Sequence, residues 1–231
     1  MTIPEEPKRA FARSQQRLRA LLGTVEPVAI LSAGGAIGLE VLLRTAVLHR
    51  AAVLIRGRQG ESLARTAESL GKEVVRIVTA EDLPVDADQV DRFLDGPPLD
   101  ALLVDLDPGP SGVPVPLEKI GRVVRRRRGI MLVADATNAV GRVPVEMDRW
   151  GVDAVFAASD GALNLPAGLA LIAISRRLLQ RLRDLTGRGT LLDLTTHHAA
   201  ALEGRAGAPV APALLQALEQ RLDELISSPR P

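Results

Sequence analysis

The chain has 231 residues, of which 46% are hydrophobic and 2% aromatic, and it contains neither tyrosine nor cysteine. Its 29 lysines and arginines balance 28 acidic residues for a formal net charge of +1, which argues against general electrostatic attraction to nucleic acid or an anionic membrane. The absence of cysteine excludes disulfides, thiolate nucleophiles and cysteine-ligated metal, and it favours a reducing compartment.

The beginning of the chain alternates charged and apolar residues and has no uninterrupted apolar stretch, so we do not expect a secretory signal. No apolar run reaches the roughly 18 residues that a membrane span needs. These features predict a soluble cytoplasmic protein that forms one large domain.

The predicted elements begin with an amphipathic helix, because residues 5–22 place their apolar side chains on one stripe. Seven short apolar runs follow, and several are continuously apolar, as strands buried on both faces of a sheet are. The predicted strands are residues 28–31, 51–55, 73–78, 100–106, 129–135, 153–158 and 168–174.

Helical patterns separate most of these strands, which predicts an α/β fold with right-handed crossovers, a mainly parallel sheet and helices on both faces. The last two strands follow each other too closely for a crossover helix, so we expect one of them to run antiparallel. The predicted helices are residues 36–48, 60–71, 86–94, 116–128, 146–151, 176–185 and 212–226.

The whole chain, residues 1–231, is expected to be a single domain. It divides into an N-terminal helix (1–24), an α/β core (25–186), an irregular Gly- and Ala-rich segment (187–209) and a C-terminal helix (210–227).

Sites in such sheets lie at the carboxyl ends of the strands. After the first strand, Gly34, Gly35 and Gly38 are suited to a phosphate cradle at a helix N-terminus. The same stretch also passes for a loosened dinucleotide fingerprint, in which Arg56 or Arg58 would meet the 2′-phosphate of NADP. The third interpretation is that the glycines only permit a tight turn.

Two carboxylates also follow strands. Asp135 ends one strand, where it either pairs with a protonated nitrogen of a ligand or caps backbone N–H groups. Asp160 is the one charged side chain between the last two strands and precedes Gly161. If Asp135 and Asp160 share a pocket, that pocket would favour a cationic group, or one carboxyl would titrate high.

The order of these segments resembles the class V aminotransferases, in the alanine–glyoxylate and serine–pyruvate branch of the fold-type I pyridoxal phosphate (PLP) enzymes. The block LVADATNAVGRVPVEMDRWGVDAVFAASDGAL carries most of the resemblance, with GRQGE, SGVPVPLEKIG and PAGLALIAIS around it. The resemblance implies the large domain of that fold, a seven-stranded sheet with one antiparallel strand, without the small C-terminal domain.

The resemblance also implies roles for single residues. The lysine that forms the Schiff base with PLP in the family aligns with Gly161, and the residue before it aligns with Asp160. Asp135 corresponds to the carboxylate that pairs with the pyridinium nitrogen. We do not expect any lysine to substitute at this site; the chain contains Lys8, Lys72 and Lys119.

Other family positions have changed as well. Gln59 aligns with the aromatic residue that stacks on the pyridine ring, and Gly35, Ala36 and Ile37 replace a Gly-Thr-Gly-type phosphate loop. Residues 109–110 align with the cofactor-binding Ser or Thr, and residues 203–209 resemble a motif contributed by the neighbouring subunit, without its hydroxyls.

We therefore expect a degenerate, non-catalytic protein with no bound cofactor, PLP being implied by resemblance only. It would act as a partner or regulatory subunit, either as a homodimer or as a heterodimer with an aminotransferase-like paralogue, and bind neither nucleic acid nor membrane. Residues 191–204 are a candidate interface because they carry few charges. The alternatives are an aminotransferase-like enzyme completed by another chain, and a domain that binds a phosphorylated ligand at Gly34–Gly38.

Two further patterns favour structural roles. His197 and His198 are predicted on an extended segment, where adjacent side chains point to opposite sides, so we expect no metal site there. The run Arg125–Arg128 is predicted at a solvated helix C-terminus, where arginine complements the helix dipole.

Overall fold

The computed structural model describes residues 5–183 and 192–227. Within these residues the chain forms one seven-stranded sheet covered by helices. The strands are β1 (Val28–Ser32), β2 (Arg50–Ile55), β3 (Glu73–Val78), β4 (Ala101–Asp105), β5 (Met131–Asp135), β6 (Ala154–Ala158) and β7 (Leu169–Ile174).

Helices connect most of the strands, as the alternating pattern predicts. They are α1 (Glu5–Leu22), α2 (Gly35–Ala46), α3 (Arg58–Ser69), α4 (Ala87–Phe93), α5 (Leu117–Arg125), α6 (Met147–Trp150), α7 (Arg176–Leu182), α8 (Leu194–Leu202) and α9 (Pro212–Ser227). No helix among the described residues combines the length and the apolar character needed to cross a membrane.

The strand order is β1-β7-β6-β5-β4-β2-β3. Neighbouring strands are parallel except at β7, which runs antiparallel to both β1 and β6. The short connection between β6 and β7 leaves no room for a crossover helix, so the second strand must reverse direction. The predicted fold class, a mainly parallel sheet with one antiparallel strand and helices on both faces, is confirmed.

The sheet separates two apolar clusters, because its central strands are buried on both faces. Alternate residues of one strand, such as Leu102 and Leu103 on β4, belong to the two different clusters. Every residue of β6 and β7 is buried. Continuous apolar runs are the sequence expression of this two-sided burial.

The edge of the sheet opposite the carboxyl ends is held by an ion pair between a buried aspartate and a partly exposed arginine. Asp153, 2% exposed, accepts hydrogen bonds from the Leu132 N–H at 2.9 Å and the Ser175 hydroxyl at 2.9 Å. The Nε of Arg177 donates to the same carboxylate at 2.8 Å. The pair thereby ties β5, β6 and the start of α7 together.

The segment predicted to be irregular, residues 187–209, contains helix α8; its first residues, 187–191, lie outside the described part. Asp193 caps the helix by accepting from the Thr195 N–H at 3.0 Å. His197 and His198 lie on this helix and are 2% and 6% exposed, so the prediction of an extended segment was wrong. Within the candidate interface at residues 191–204, α8 packs one face against β1, and Thr196, Ala199 and Leu202 are exposed.

The arginine run Arg125–Arg128 lies at the C-terminal end of α5, as predicted. Its side chains do more than face solvent. Arg126 and Arg127 both pair with Asp91 on α4, so the run joins two helices.

Candidate functional site

Two adjoining cavities open at the carboxyl ends of the parallel strands. The inner cavity, of about 220 Å³, lies between the loops that follow β1, β5 and β6. The outer cavity, of about 840 Å³, lies between the loops that follow β2, β3 and β4. Gln59, Ser62 and Asp105 line both, so the two cavities are continuous.

The fold brings most of the predicted site residues together. The inner cavity is lined by Gly35, Ala36, Gln59, Asp135 and Asp160. They come from four places in the chain, and the strand order places them at one edge of the sheet. Two predicted residues lie beside the cavity without lining it: the α2 N-cap residue Gly34, and Gly161.

Gly161 lies against the loop that follows β5. A Cβ atom at this position would lie 2.1 Å from the carbonyl oxygen of Thr137 and 2.5 Å from its Cγ2. That carbonyl oxygen accepts a hydrogen bond from the Ala162 N–H at 2.7 Å, which holds the two loops together. The backbone therefore leaves no space for a side chain at residue 161.

Asp135 ends β5 inside the inner cavity. Its Oδ1 accepts the Thr137 N–H at 2.8 Å, so it caps the turn after the strand, which is one of the two predicted roles. Burial raises the pKa of the Asp135 carboxyl, and the hydrogen bonds from Thr137 oppose that rise.

Asp105 is a site residue that sequence reasoning missed. It ends β4 and is the register partner of Asp135 on β5. Its Oδ1 accepts the Asp107 N–H at 3.2 Å. Burial, and then the charge of Asp135, raise the pKa of Asp105 to about 7. The sequence does contain the pattern that identified Asp135, because Asp105 is likewise a carboxylate at the end of an apolar strand.

Asp160 follows β6 and is exposed at the rim of the inner cavity, close to the first residue of α2. Its Oδ1 lies 3.8 Å from the position that a Cβ on Gly35 would take. A carboxylate near a helix N-terminus is favoured by the helix dipole. Asp160 therefore brings negative charge to the turn that was predicted as a phosphate cradle.

The inner cavity is acidic. Among the described residues, the charged side chains that line it are Asp105, Asp135 and Asp160. The lysines lie elsewhere. Lys72 Nζ donates to the Leu48 carbonyl at 3.0 Å, and Lys119 lines a separate groove on α5.

Arg56 and Arg58 line the outer cavity with Gly109 and Pro110. Arg56 is 8% exposed, and its two terminal nitrogens donate to the Val113 carbonyl at 3.1 Å and the Glu81 carbonyl at 2.9 Å.

These contacts give Arg56 a structural role. Its guanidinium joins the loop after β3 to the loop after β4, and each terminal nitrogen gives one of its two N–H groups to a carbonyl. Arg56 and Arg58, the two residues of the NADP alternative, therefore both lie at the outer cavity, and Arg56 is held there by these two carbonyls.

The acidic groups do not form a metal centre. Within the part of the chain that the structure describes, no group of three or more His, Cys, Asp or Glu side chains is arranged to hold a metal ion. His197 and His198 are among the residues that this statement covers.

The sequence matches a family model described as "Aminotransferase class-V" over residues 60–218. Among curated proteins, it is 28% identical to the soluble hydrogenase small subunit of Synechococcus sp. (strain PCC 6716), over 74% of this chain and 46% of that protein. It is also 28% identical to 2-aminoethylphosphonate–pyruvate transaminase of Pseudomonas entomophila (strain L48), over 73% of this chain and 46% of that protein. The chain thus spans about half the length of the curated relatives that it matches.

A solved structure has the same fold. Alanine–glyoxylate aminotransferase from Nostoc sp. superposes on this chain with a TM-score of 0.84 at 21% identity. The match covers 97% of this chain and 62% of that one.

Proposed function

The chain belongs to the class-V aminotransferase family, and we propose that it acts by binding a partner rather than by transamination. The partner is either a second copy of the chain or an aminotransferase-like paralogue. The observation that carries the proposal is the closed backbone at Gly161, because the resemblance places the Schiff-base lysine of the family there.

The position of Gly161 supports the loss of imine chemistry in two ways. Glycine has no side-chain amine, and the Thr137 carbonyl fills the space that a side chain would need. No lysine lines the inner or the outer cavity among the described residues. A lysine amine is required for an internal imine, so the residues present do not fit covalently held PLP.

The charges around the inner cavity also support a degenerate site. Asp135 is suited to a protonated ring nitrogen, whereas the phosphate of PLP is an anion that needs donors or positive charge. Asp160 lies beside the α2 N-terminus, and Asp105 and Asp135 line the floor of the same cavity. Like-charge repulsion would weaken PLP binding there.

An aminotransferase-like enzyme completed by another chain is the second candidate. The observation that favours it is the extent of the matches, which cover about half the length of the curated relatives. In that case the other chain would have to supply an amine to the inner cavity. The same acidic lining would then face that amine.

Titration with PLP tests the proposal. We expect no stoichiometric imine absorbance band, and no single modified lysine when the mixture is reduced with borohydride and mapped by mass spectrometry. Weak modification spread over Lys8, Lys72 and Lys119 is the background expected of exposed amines, and variants with arginine at these three positions measure it. A stoichiometric adduct at one lysine would refute the loss of imine chemistry.

Light scattering of the same sample tests the binding role. A stable dimer without an adduct is the expected result for the homodimeric form. If the chain alone is monomeric, the proposal requires a heterodimer. Mixing with an aminotransferase of the family from the same source should then give a complex of defined stoichiometry. Failure of both would contradict the proposal.

A further inference from the structure

Asp105 and Asp135 form a carboxyl pair at the ends of two adjacent parallel strands. They are register partners across β4 and β5, and both line the inner cavity. The last backbone hydrogen bond between these strand ends runs from the Leu106 N–H to the Asp135 carbonyl at 2.9 Å. We propose that this carboxyl pair is a proton-dependent switch, in which ionisation of Asp105 loosens the junction of β4 and β5 at the mouth of the site.

The surroundings of the pair carry charges of both signs. Asp107 follows β4, Asp160 follows β6, and Glu81 reaches the outer cavity from the loop after β3. Gln59 and Ser62 on α3 are neutral, and so is Thr137 after β5. The same helix also places Arg58, Glu61 and Arg65 at the outer cavity that Asp105 lines. Among these cations, Arg56 lowers the pKa of Asp105, and each of its terminal nitrogens also donates to a carbonyl oxygen.

The two carboxyls are not equivalent. Asp135 accepts the Thr137 N–H at 2.8 Å and is further stabilised as an anion by the Thr137 side chain. Asp105 accepts one longer hydrogen bond, from the Asp107 N–H at 3.2 Å. Hydrogen bonds to a carboxylate favour its charged form, so Asp135 ionises first and Asp105 keeps its proton longer.

Burial and the charge of Asp135 then raise the pKa of Asp105 to about 7, which places its ionisation in the physiological range. Above that pH, two like charges face each other across β4 and β5. Their repulsion acts on the Leu106 hydrogen bond and on the loops after both strands. The switch is independent of the proposed binding role, because it involves only groups of this chain.

The test uses the protein alone. Carboxyl 13C chemical shifts give the titration of each aspartate, and hydrogen exchange gives the protection factor of the Leu106 amide. The variant Asp105→Asn keeps the shape of the side chain and removes its charge. Asp82→Asn is the matched control, because Asp82 is exposed and lines neither cavity.

We expect a carboxyl titration near pH 7 in the parent protein and in Asp82→Asn. Asp105→Asn should lack this titration. The Leu106 protection factor should fall by about tenfold between pH 6 and pH 8 in the first two proteins, since one pKa unit of coupling is a tenfold effect. It should stay constant in Asp105→Asn. The result that would overturn the proposal is a set of aspartates that all titrate below about pH 5, or a protection factor that does not change.

A second variant guards against misfolding of the first. In Asp135→Asn the repelling charge is gone, so the midpoint of Asp105 should move toward its ordinary range. Loss of the pH dependence at Leu106 should accompany that shift. An unchanged Asp105 midpoint in Asp135→Asn would show that the two carboxyls are not coupled and would also overturn the proposal.

Discussion

The Cβ position of Gly161 lies 2.1 Å from the carbonyl oxygen of Thr137, closer than two unbonded atoms can approach. The Thr137 oxygen belongs to the backbone, so no side-chain rotation can relieve this contact. The loop that carries Gly161 must shift before any larger residue fits. Restoring a lysine at residue 161 would therefore require a change of the backbone as well as of the side chain.

Gly161→Ala should therefore lower the free energy of unfolding by about 1–3 kcal/mol, the usual cost of overpacking. Urea unfolding at constant pH measures it. Gly96→Ala is the control, because its nearest heavy atom lies at 3.5 Å and its backbone is not left-handed. That control should be neutral or slightly stabilising. Equal stability of the two variants would contradict the steric argument.

Asp105→Asn should change how stability depends on pH. The pKa of Asp105 is raised in the folded protein from 3.8 to about 7, so the folded state binds its proton more tightly than the unfolded state does. The parent protein should thus lose stability as the pH rises from about 4 to about 7.

The loss should be on the order of 2–4 kcal/mol above pH 7, at about 1.4 kcal/mol for each pKa unit. Asp105→Asn should lack it and be the more stable protein at pH 8. Urea unfolding at pH 5 and pH 8 gives both values, with Asp82→Asn as the reference. A parent protein that becomes more stable between pH 5 and pH 8 would contradict the predicted direction of the change.

Arg56→Met should destabilise the loops of the outer cavity. The substitution keeps much of the buried stem but removes the donors to the Val113 and Glu81 carbonyls. Hydrogen bonds from a charged donor contribute about 1.5–3 kcal/mol each, so we expect a loss of at least about 2 kcal/mol. Arg58→Met, at an exposed position on the same cavity, should change stability by less than about 0.5 kcal/mol.

The same Arg56→Met variant should move the titration of Asp105. The Arg56 charge lowers the pKa of Asp105, so its removal should shift the 13C midpoint upward from about 7. A downward shift would mean that Arg56 does not act on Asp105 electrostatically.

Asp153→Ala should destabilise the folded protein. It would leave Arg177 without its carboxylate and the Leu132 N–H without its acceptor. Because the Arg177 side chain is 39% exposed, water can solvate its charge, and the main cost is the buried Leu132 N–H left without an acceptor, about 1–3 kcal/mol. Glu40→Ala, which breaks the exposed Glu40–Arg44 pair on α2, should cost less than about 1 kcal/mol. Thermal unfolding of both variants gives the comparison.

Most of the fold could be predicted from the sequence, because each central strand is an uninterrupted apolar run and most connections have a helical period. Helix α8 could not. Its buried residues lie on more than one face, and two of them are His197 and His198, so neither a clear stripe nor an apolar run marks it. The capping residue Asp193 was the one local signal.

The candidate site was predicted in part. Asp135 and Asp160 share a cavity, as a carboxylate at each strand end suggested. Asp105 was overlooked although it follows the same rule, because its importance depends on β4 being the neighbour of β5 in this register. Strand order and register arise from long-range packing, which the local pattern around Asp105 does not contain.

The position of β7 has a consequence for how the chain folds. β1 forms no hydrogen bonds with the strands nearest to it in sequence; its Val28 pairs with Ala173 and its Ser32 with Leu169. Such non-local pairing slows folding, because a long loop must close before the contact is gained. During synthesis β1 must wait for almost the whole sheet, and an apolar strand without its partner is the segment then most exposed to aggregation.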